Sequence, residues 1–222
     1  MNSFTEENYL KAIYKLSEHT GEMVNTNAIS EELSTRAASV TDMLKKLSEK
    51  GLIHYIKYQG VRLTEPGKAA AVNIIRKHRL WEVFLVNKLD FGWDEVHDIA
   101  EELEHINSQK LVDRLDEFLG FPQFDPHGDP IPTKTGKFRQ HDFIKLSKLE
   151  ENEAGVISGV SDHSSTFLHY LDRLNMVLGK RIRLMEKNEY DGSVVVEDAE
   201  GTRIYLSKEV SGNIFVQADD TE

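Results

Sequence analysis

Residues 35–64 read TRAASVTDMLKKLSEKGLIHYIKYQGVRLT, and the fold follows from how this stretch is parsed. Val40, Met43, Leu44 and Leu47 recur at helical spacing, so one apolar face runs to about Lys50, where Gly51 supplies the stop. LIHYIKYQGVRLT then reads as two short strands turning at Gln59-Gly60. Working upstream, VNTNAISEELS is a short helix capped by Asn25 or Thr26, with Ile29 and Leu33 inward. Before it, Thr5 with Glu6 and Glu7 marks a first helix whose stripe is Leu10, Ile13 and Tyr14. Three helices and a hairpin make a winged helix-turn-helix, whose third helix enters the major groove of double-stranded DNA. That helix would present Arg36, Ala38, Ser39, Thr41 and Asp42 to base edges. Lys45, Lys46, Lys57, Tyr58 and Arg62 are the candidates for phosphate contacts.

Downstream, Thr64 caps a long helix with Pro66 in its first turn, predicted to reach about Leu89. LDFGWDE breaks it, and Asp94 is read as the start of the next helix. Asn107-Ser108 ends that one and caps another, which stops at Gly120. FPQFDPHGDPIPT holds four of the five prolines and reads as a rigid extended loop at a domain boundary. From about Phe143 the pattern turns to short β-like runs (GVISGV, KRIRLME, SVVVED, RIYLS, NIFVQ), interrupted by one helix over 165–174. Five or six such strands suggest a small β-barrel. The expected fold is mainly α with a small β domain: a winged helix over 1–63, a helical domain over 64–141 and a β-barrel over 142–222.

Composition narrows the function classes. No run of about twenty apolar residues exists to cross a membrane, and MNSFTEENYL lacks a basic-then-apolar leader, so a cytoplasmic location is expected. There is no cysteine. Disulfides, zinc-thiolate sites and a cysteine nucleophile are therefore excluded, and any metal must be held by nitrogen and oxygen. The net charge of −11 argues against nucleic acid only on average. Residues 1–62 carry eight basic and eight acidic side chains, so the excess acid lies elsewhere.

The acid that matters is in HDIAEELEH, residues 97–105. At about 100° per residue, His97, Glu101, Glu104 and His105 share one helical face. Two imidazoles and two carboxylates stacked this way can hold a divalent cation if other elements add ligands. KHRLWE repeats the idea, with His78 and Glu82 one turn apart. An acidic, solvated helix face is the plainer reading of either motif alone. A metallohydrolase is a rival reading, but the only spare carboxylate, Glu102, points off the ligand face, so no general base stands beside a bound water. No enzyme is expected.

The winged helix, KHRLWE, VHDIAEELEH and HGDPIP, in this order and across nearly the whole chain, resemble the DtxR/MntR family of metal-dependent repressors. Residues 142–222 look like that family's FeoA-type, SH3-like domain. The resemblance implies a primary metal site at Asn8, Glu101, Glu104 and His105. It also implies an ancillary site at His78, Glu82 and His97, with Asp162 or His163 as the ligand from the barrel. Other histidines, His127 among them, are left as structural or surface. Glutamate at 101, where iron-responsive members carry cysteine, favours Mn²⁺, with Fe²⁺ the alternative and Zn²⁺ possible in vitro. Two positions depart from the manganese pattern. Asn8 stands where an aspartate is usual, with Glu7 beside it, and Lys11 stands where short manganese members place a second carboxylate, which argues against a close binuclear centre. A homodimer on a palindromic operator, controlling metal-uptake genes, is the implied function. The alternative is a winged-helix regulator with a structural metal and a protein-binding barrel.

Overall fold

The computed structural model describes residues 2–20, 23–57, 59–139 and 142–219. Two compact units emerge. One comprises Met1–Trp81, Ala100–Arg114 and Pro132–Phe138; the other comprises Glu82–Ile99, Leu115–Ile131 and Arg139–Glu222.

The first unit opens with helices α1 (Phe4–Thr20), α2 (Thr26–Glu32) and α3 (Ala37–Glu49), then strands β1 (Ile53–Ile56) and β2 (Gly60–Leu63). The α1 cap lies two residues upstream of the expected Thr5. Ser3 Oγ accepts from Glu6 N at 3.3 Å while Glu6 Oε2 accepts from Ser3 N at 2.8 Å, a reciprocal capping box. Asn25 caps α2 by accepting from Ala28 N at 2.8 Å, and Gly51 ends α3 with φ +69°. β1 and β2 pair antiparallel, Ile53 opposite Leu63 and Ile56 opposite Gly60. Behind them Val24 and Val61 exchange backbone hydrogen bonds at 2.8 and 2.9 Å. Gly60 is required at this approach: at φ +127°, an added Cβ would sit 2.6 Å from Val24 O. Leu10 and Ile13 of α1, Ile29 of α2, Leu44 and Leu47 of α3, and Val72 and Ile75 of the next helix form one buried cluster. That cluster explains the spacing read from residues 35–64.

α4 (Glu65–Leu89) begins as predicted, Thr64 Oγ1 accepting from Gly67 N at 3.2 Å. α5 (Val96–Leu103) and α6 (Gln109–Phe118) follow, and residues of α4, α5 and α6 fall in both units. α5 starts two residues after Asp94, whose carboxylate is instead paired with His169.

The second unit carries a six-stranded antiparallel sheet. It consists of β3 (Phe143–Lys145), β4 (Ala154–Val160), β5 (Arg181–Lys187), β6 (Val194–Asp198), β7 (Arg203–Leu206) and β8 (Ile214–Ala218), in the order β3-β8-β4-β5-β6-β7. Register shifts at Ile157/Gly159 and Leu184/Glu186 mark bulges that let a short sheet curl round its own core. α7 (Ser165–Arg173) contributes Leu168 and Leu171 to that core. Strand alternation gave no sign of α8 (Lys208–Gly212), a five-residue helix capped by Ser207 between β7 and β8.

Candidate metal centres and DNA-contact surface

In the first unit, α1 meets the end of α5 and the turn after it, Glu104-His105, through a largely buried ionic cluster. Glu104 is fully buried, accepts hydrogen bonds from Lys11 and His78, and has His105 nearby. Its Oε1 lies 2.6 Å from Lys11 Nζ and 4.0 Å from His105 Nε2, and its Oε2 lies 2.7 Å from His78 Nδ1. Lys11 also donates to Glu101 Oε1 at 2.7 Å. Glu7 Oε2 lies 2.7 Å from His105 Nδ1, and the Phe4 ring stacks on His105 with centroids 4.7 Å apart. Lys77 is buried too; burial pushes its pKa down while Glu7 and Glu104 oppose the fall. His78, Glu101 and Glu104 each offer a ligand atom within 4.8 Å of the others.

Asn8 adds a different kind of evidence. Its Oδ1 is buried with no hydrogen-bond partner, an arrangement proteins avoid unless a further group is meant to satisfy it. An amide oxygen, carboxylates and imidazoles form a hard, thiolate-free donor set, so the residues present fit a divalent cation of the manganese or ferrous type.

The second unit holds another cluster. Glu82, Asp125 and His127, all buried, bring ligand atoms within 4.8 Å of one another. His127 Nδ1 and His97 Nδ1 each lie 3.7 Å from a Glu82 oxygen. His127 donates from Nε2 to Trp93 O at 2.7 Å, which leaves Nδ1 aimed at Glu82; a backbone acceptor fixing the remote ring nitrogen is how ligand histidines are oriented. Burial disfavours charge on His127, but the facing Glu82 carboxylate, then Asp125 and the Trp93 carbonyl, outweigh it and its pKa is pushed up to about 9. Ligation through Nδ1 thus requires that proton to leave. His163 stacks on His127, centroids 4.6 Å apart, and burial together with that neighbouring charge pushes its pKa down. Asp162 turns one oxygen to Ser164 N at 2.9 Å, at the start of α7.

Asp125 and His127 were not anticipated. They lie in FPQFDPHGDPIPT, which is a tight turn rather than an extended run. Phe124 and Pro130 bridge across it, and Asp125 Oδ1 accepts from His127 N at 2.8 Å and Asp129 N at 3.0 Å. The available clue was the spacing DPHGD, an Asp-X-His braced by prolines.

The expected DNA-contact residues lie on α3 and the wing. Arg36, Ala38, Ser39, Asp42, Lys45, Lys46, Lys57 and Arg62 are exposed and Thr41 is half-buried, its hydroxyl donating to Ala37 O at 3.0 Å; Tyr58 falls outside the described residues. Lys45 pairs with Asp42 at 3.1 Å, and Lys46 with buried Glu6 at 3.1 Å.

A winged helix whose first helix is held to carboxylates and imidazoles some ninety residues away, in a chain that also carries a small antiparallel sheet domain, is the makeup of a metal-responsive DNA-binding protein. Comparison with known proteins agrees. Residues 2–61 match the family model described as the iron dependent repressor N-terminal DNA binding domain, residues 64–133 its metal binding and dimerisation domain, and residues 144–218 the FeoA domain. The iron-dependent repressor IdeR of Mycobacterium tuberculosis is 32% identical over 179 residues, covering 77% of each chain. A solved manganese-dependent transcriptional repressor in complex with manganese is 36% identical with a TM-score of 0.85, covering 96% of this chain and all of that one. A probable metal transport system membrane protein of Chlamydia trachomatis is 44% identical over 91 residues, but these span only 20% of its length. The chain belongs to the iron-dependent repressor family. Among the described residues no helix is long and apolar enough to cross a membrane.

Proposed function

We propose that this protein is a transcriptional repressor activated by Mn²⁺, with Fe²⁺ the alternative ion, that binds a palindromic operator as a homodimer. The observation that carries the reading is the cluster where α1 meets the end of α5: carboxylates and imidazoles held in contact, with the buried Asn8 Oδ1 of α1 left without a partner. Asn8, Glu101, Glu104 and His105 are the residues that would hold the primary ion, and His78, hydrogen-bonded to Glu104, belongs with them. Glu82, His97, Asp125, His127, Asp162 and His163 are the pool for the second site. A bound divalent ion would supply positive charge shared by donors from α1 and from the end of α5. The chain's own contribution is to draw those ligands from α1, from α5 and from the turn that follows it, so that the placement of the winged helix depends on their junction. Ordering α1 in advance spares DNA binding that cost, which is the coupling a metal-activated repressor requires.

The match of residues 64–133 to the family's metal binding and dimerisation model supports a dimer. Two recognition helices in such a dimer would read half-sites about one DNA turn apart, or a multiple of that. The test is operator binding with and without Mn²⁺, Fe²⁺ or Zn²⁺ under anaerobic conditions. Affinity should rise with Mn²⁺ and Glu104→Ala should behave as the chelated protein. Equal affinity of the wild type in chelator and in Mn²⁺ refutes the reading.

A further inference from the structure

Lys11 is placed where no ordinary surface lysine would be. Its side chain is only 8% exposed, and its Nζ touches two carboxylates, Glu104 at 2.6 Å and Glu101 at 2.7 Å. Glu101 lies on α5 and Glu104 directly follows its last residue, so this single ammonium ties α1 to residues 90 and 93 positions further along the chain. Those same carboxylates are the primary-site candidates.

We propose that Lys11 is a built-in cation of the α1–α5 junction: it holds the two helices together when metal is scarce and competes with the divalent ion for Glu101 and Glu104, raising the metal concentration at which the protein responds. The inference rests on the metal-dependent reading above.

Charge supports it. Three carboxylates (Glu7, Glu101, Glu104) face two ammonium groups (Lys11, Lys77) in this cluster. With neutral imidazoles the set carries one net negative charge, so a divalent ion overshoots neutrality while Lys11 stays in contact. Without Lys11 the set would carry two, the complement of a single divalent ion. Space supports it as well. The ammonium occupies one coordination direction of Glu104 Oε1 and one of Glu101 Oε1, and a flexible four-carbon stem can withdraw when those oxygens turn to a metal. A lysine acting only as a structural clamp would predict the opposite result on removal, because losing it would disorder the ligands and weaken metal binding.

The experiment uses the full-length protein and Lys11→Met, which keeps the apolar stem, with Lys11→Gln as a second neutral variant should the first fold poorly. Mn²⁺ affinity is measured from free-ion electron paramagnetic resonance, and amide exchange of residues 4–20 is followed in chelator. The expected result is Mn²⁺ binding at least tenfold tighter in the neutral variants, with faster exchange over α1 in chelator. Unchanged or weaker Mn²⁺ binding in both variants overturns the proposal, as does unchanged α1 exchange. Failure of the wild type to bind Mn²⁺ at all would instead refute the metal-dependent reading, a result visible before any variant is compared.

Discussion

Replacing Glu6 by Gln removes one buried charge and leaves nearly everything else in place. Glu6 is 1% exposed, and its carboxylate lies 2.7 and 2.8 Å from Lys50 Nζ and 3.1 Å from Lys46 Nζ, tying the first turn of α1 to the end of α3. Burial works against the ionised form, but Lys50, the Ser3 N–H and Lys46 overcome it and lower the pKa from 4.5 to about 2. At about 1.4 kcal/mol per pKa unit the shift corresponds to roughly 3 kcal/mol. Both lysines reach solvent, so screening reduces this to about 2 kcal/mol. A glutamine can still accept the Ser3 N–H, so the cap survives and the charge contribution is isolated. The sign is that of a depressed carboxylate: its stabilisation is complete above the unfolded pKa, near 4.5, and fades as pH falls towards 2. Glu6→Gln should therefore destabilise α1 and α3 by about 2 kcal/mol at pH 7, and the gap from wild type should shrink steadily below pH 4.5. Urea titration read through amide exchange of residues 4–20 and 37–49, corrected for intrinsic rates, measures both. A gap that persists undiminished at pH 3, or one absent at pH 7, would refute the electrostatic account.

Gly60→Ala should destabilise the winged helix by about 1–3 kcal/mol, since it combines a left-handed backbone with a Cβ driven towards Val24 O; a thermal scan of the metal-free protein checks this. Asp125→Ala should reduce Mn²⁺ stoichiometry by one equivalent per chain and loosen residues 123–131, because a candidate ligand oxygen and the acceptor of two backbone N–H groups are lost together; equilibrium dialysis and exchange over that segment read the two effects.

The winged helix was legible because each of its elements announces itself locally. Val40, Leu44 and Leu47 have helical spacing, Gly51 a left-handed stop, and Gln59-Gly60 a turn between alternating strands. The HDIAEELEH motif was legible only in part: helical periodicity holds as far as Leu103, and Glu104 and His105 sit in the turn beyond the helix end. What stayed hidden depends on contacts distant in sequence. Nothing local to Lys11 says that it will meet Glu101 and Glu104. Nor does anything around Glu6 say that it will claim Lys46, a side chain otherwise read as a phosphate contact. Asp125 and His127 escaped for a subtler reason: prolines suggest an extended chain, whereas here they brace a turn that folds on its own aspartate.

That turn is also stitched to β4. His127 O accepts from Val160 N at 2.9 Å, and a Cβ on Gly128 would lie 2.1 Å from Ser158 O, so the two backbones run in direct contact across a position that only glycine can fill. His127 therefore has little freedom independent of the sheet. A force or a ligand that shifts β4 drags the imidazole with it and changes its distance from Glu82. The small sheet is in this sense a rigid mount for one imidazole.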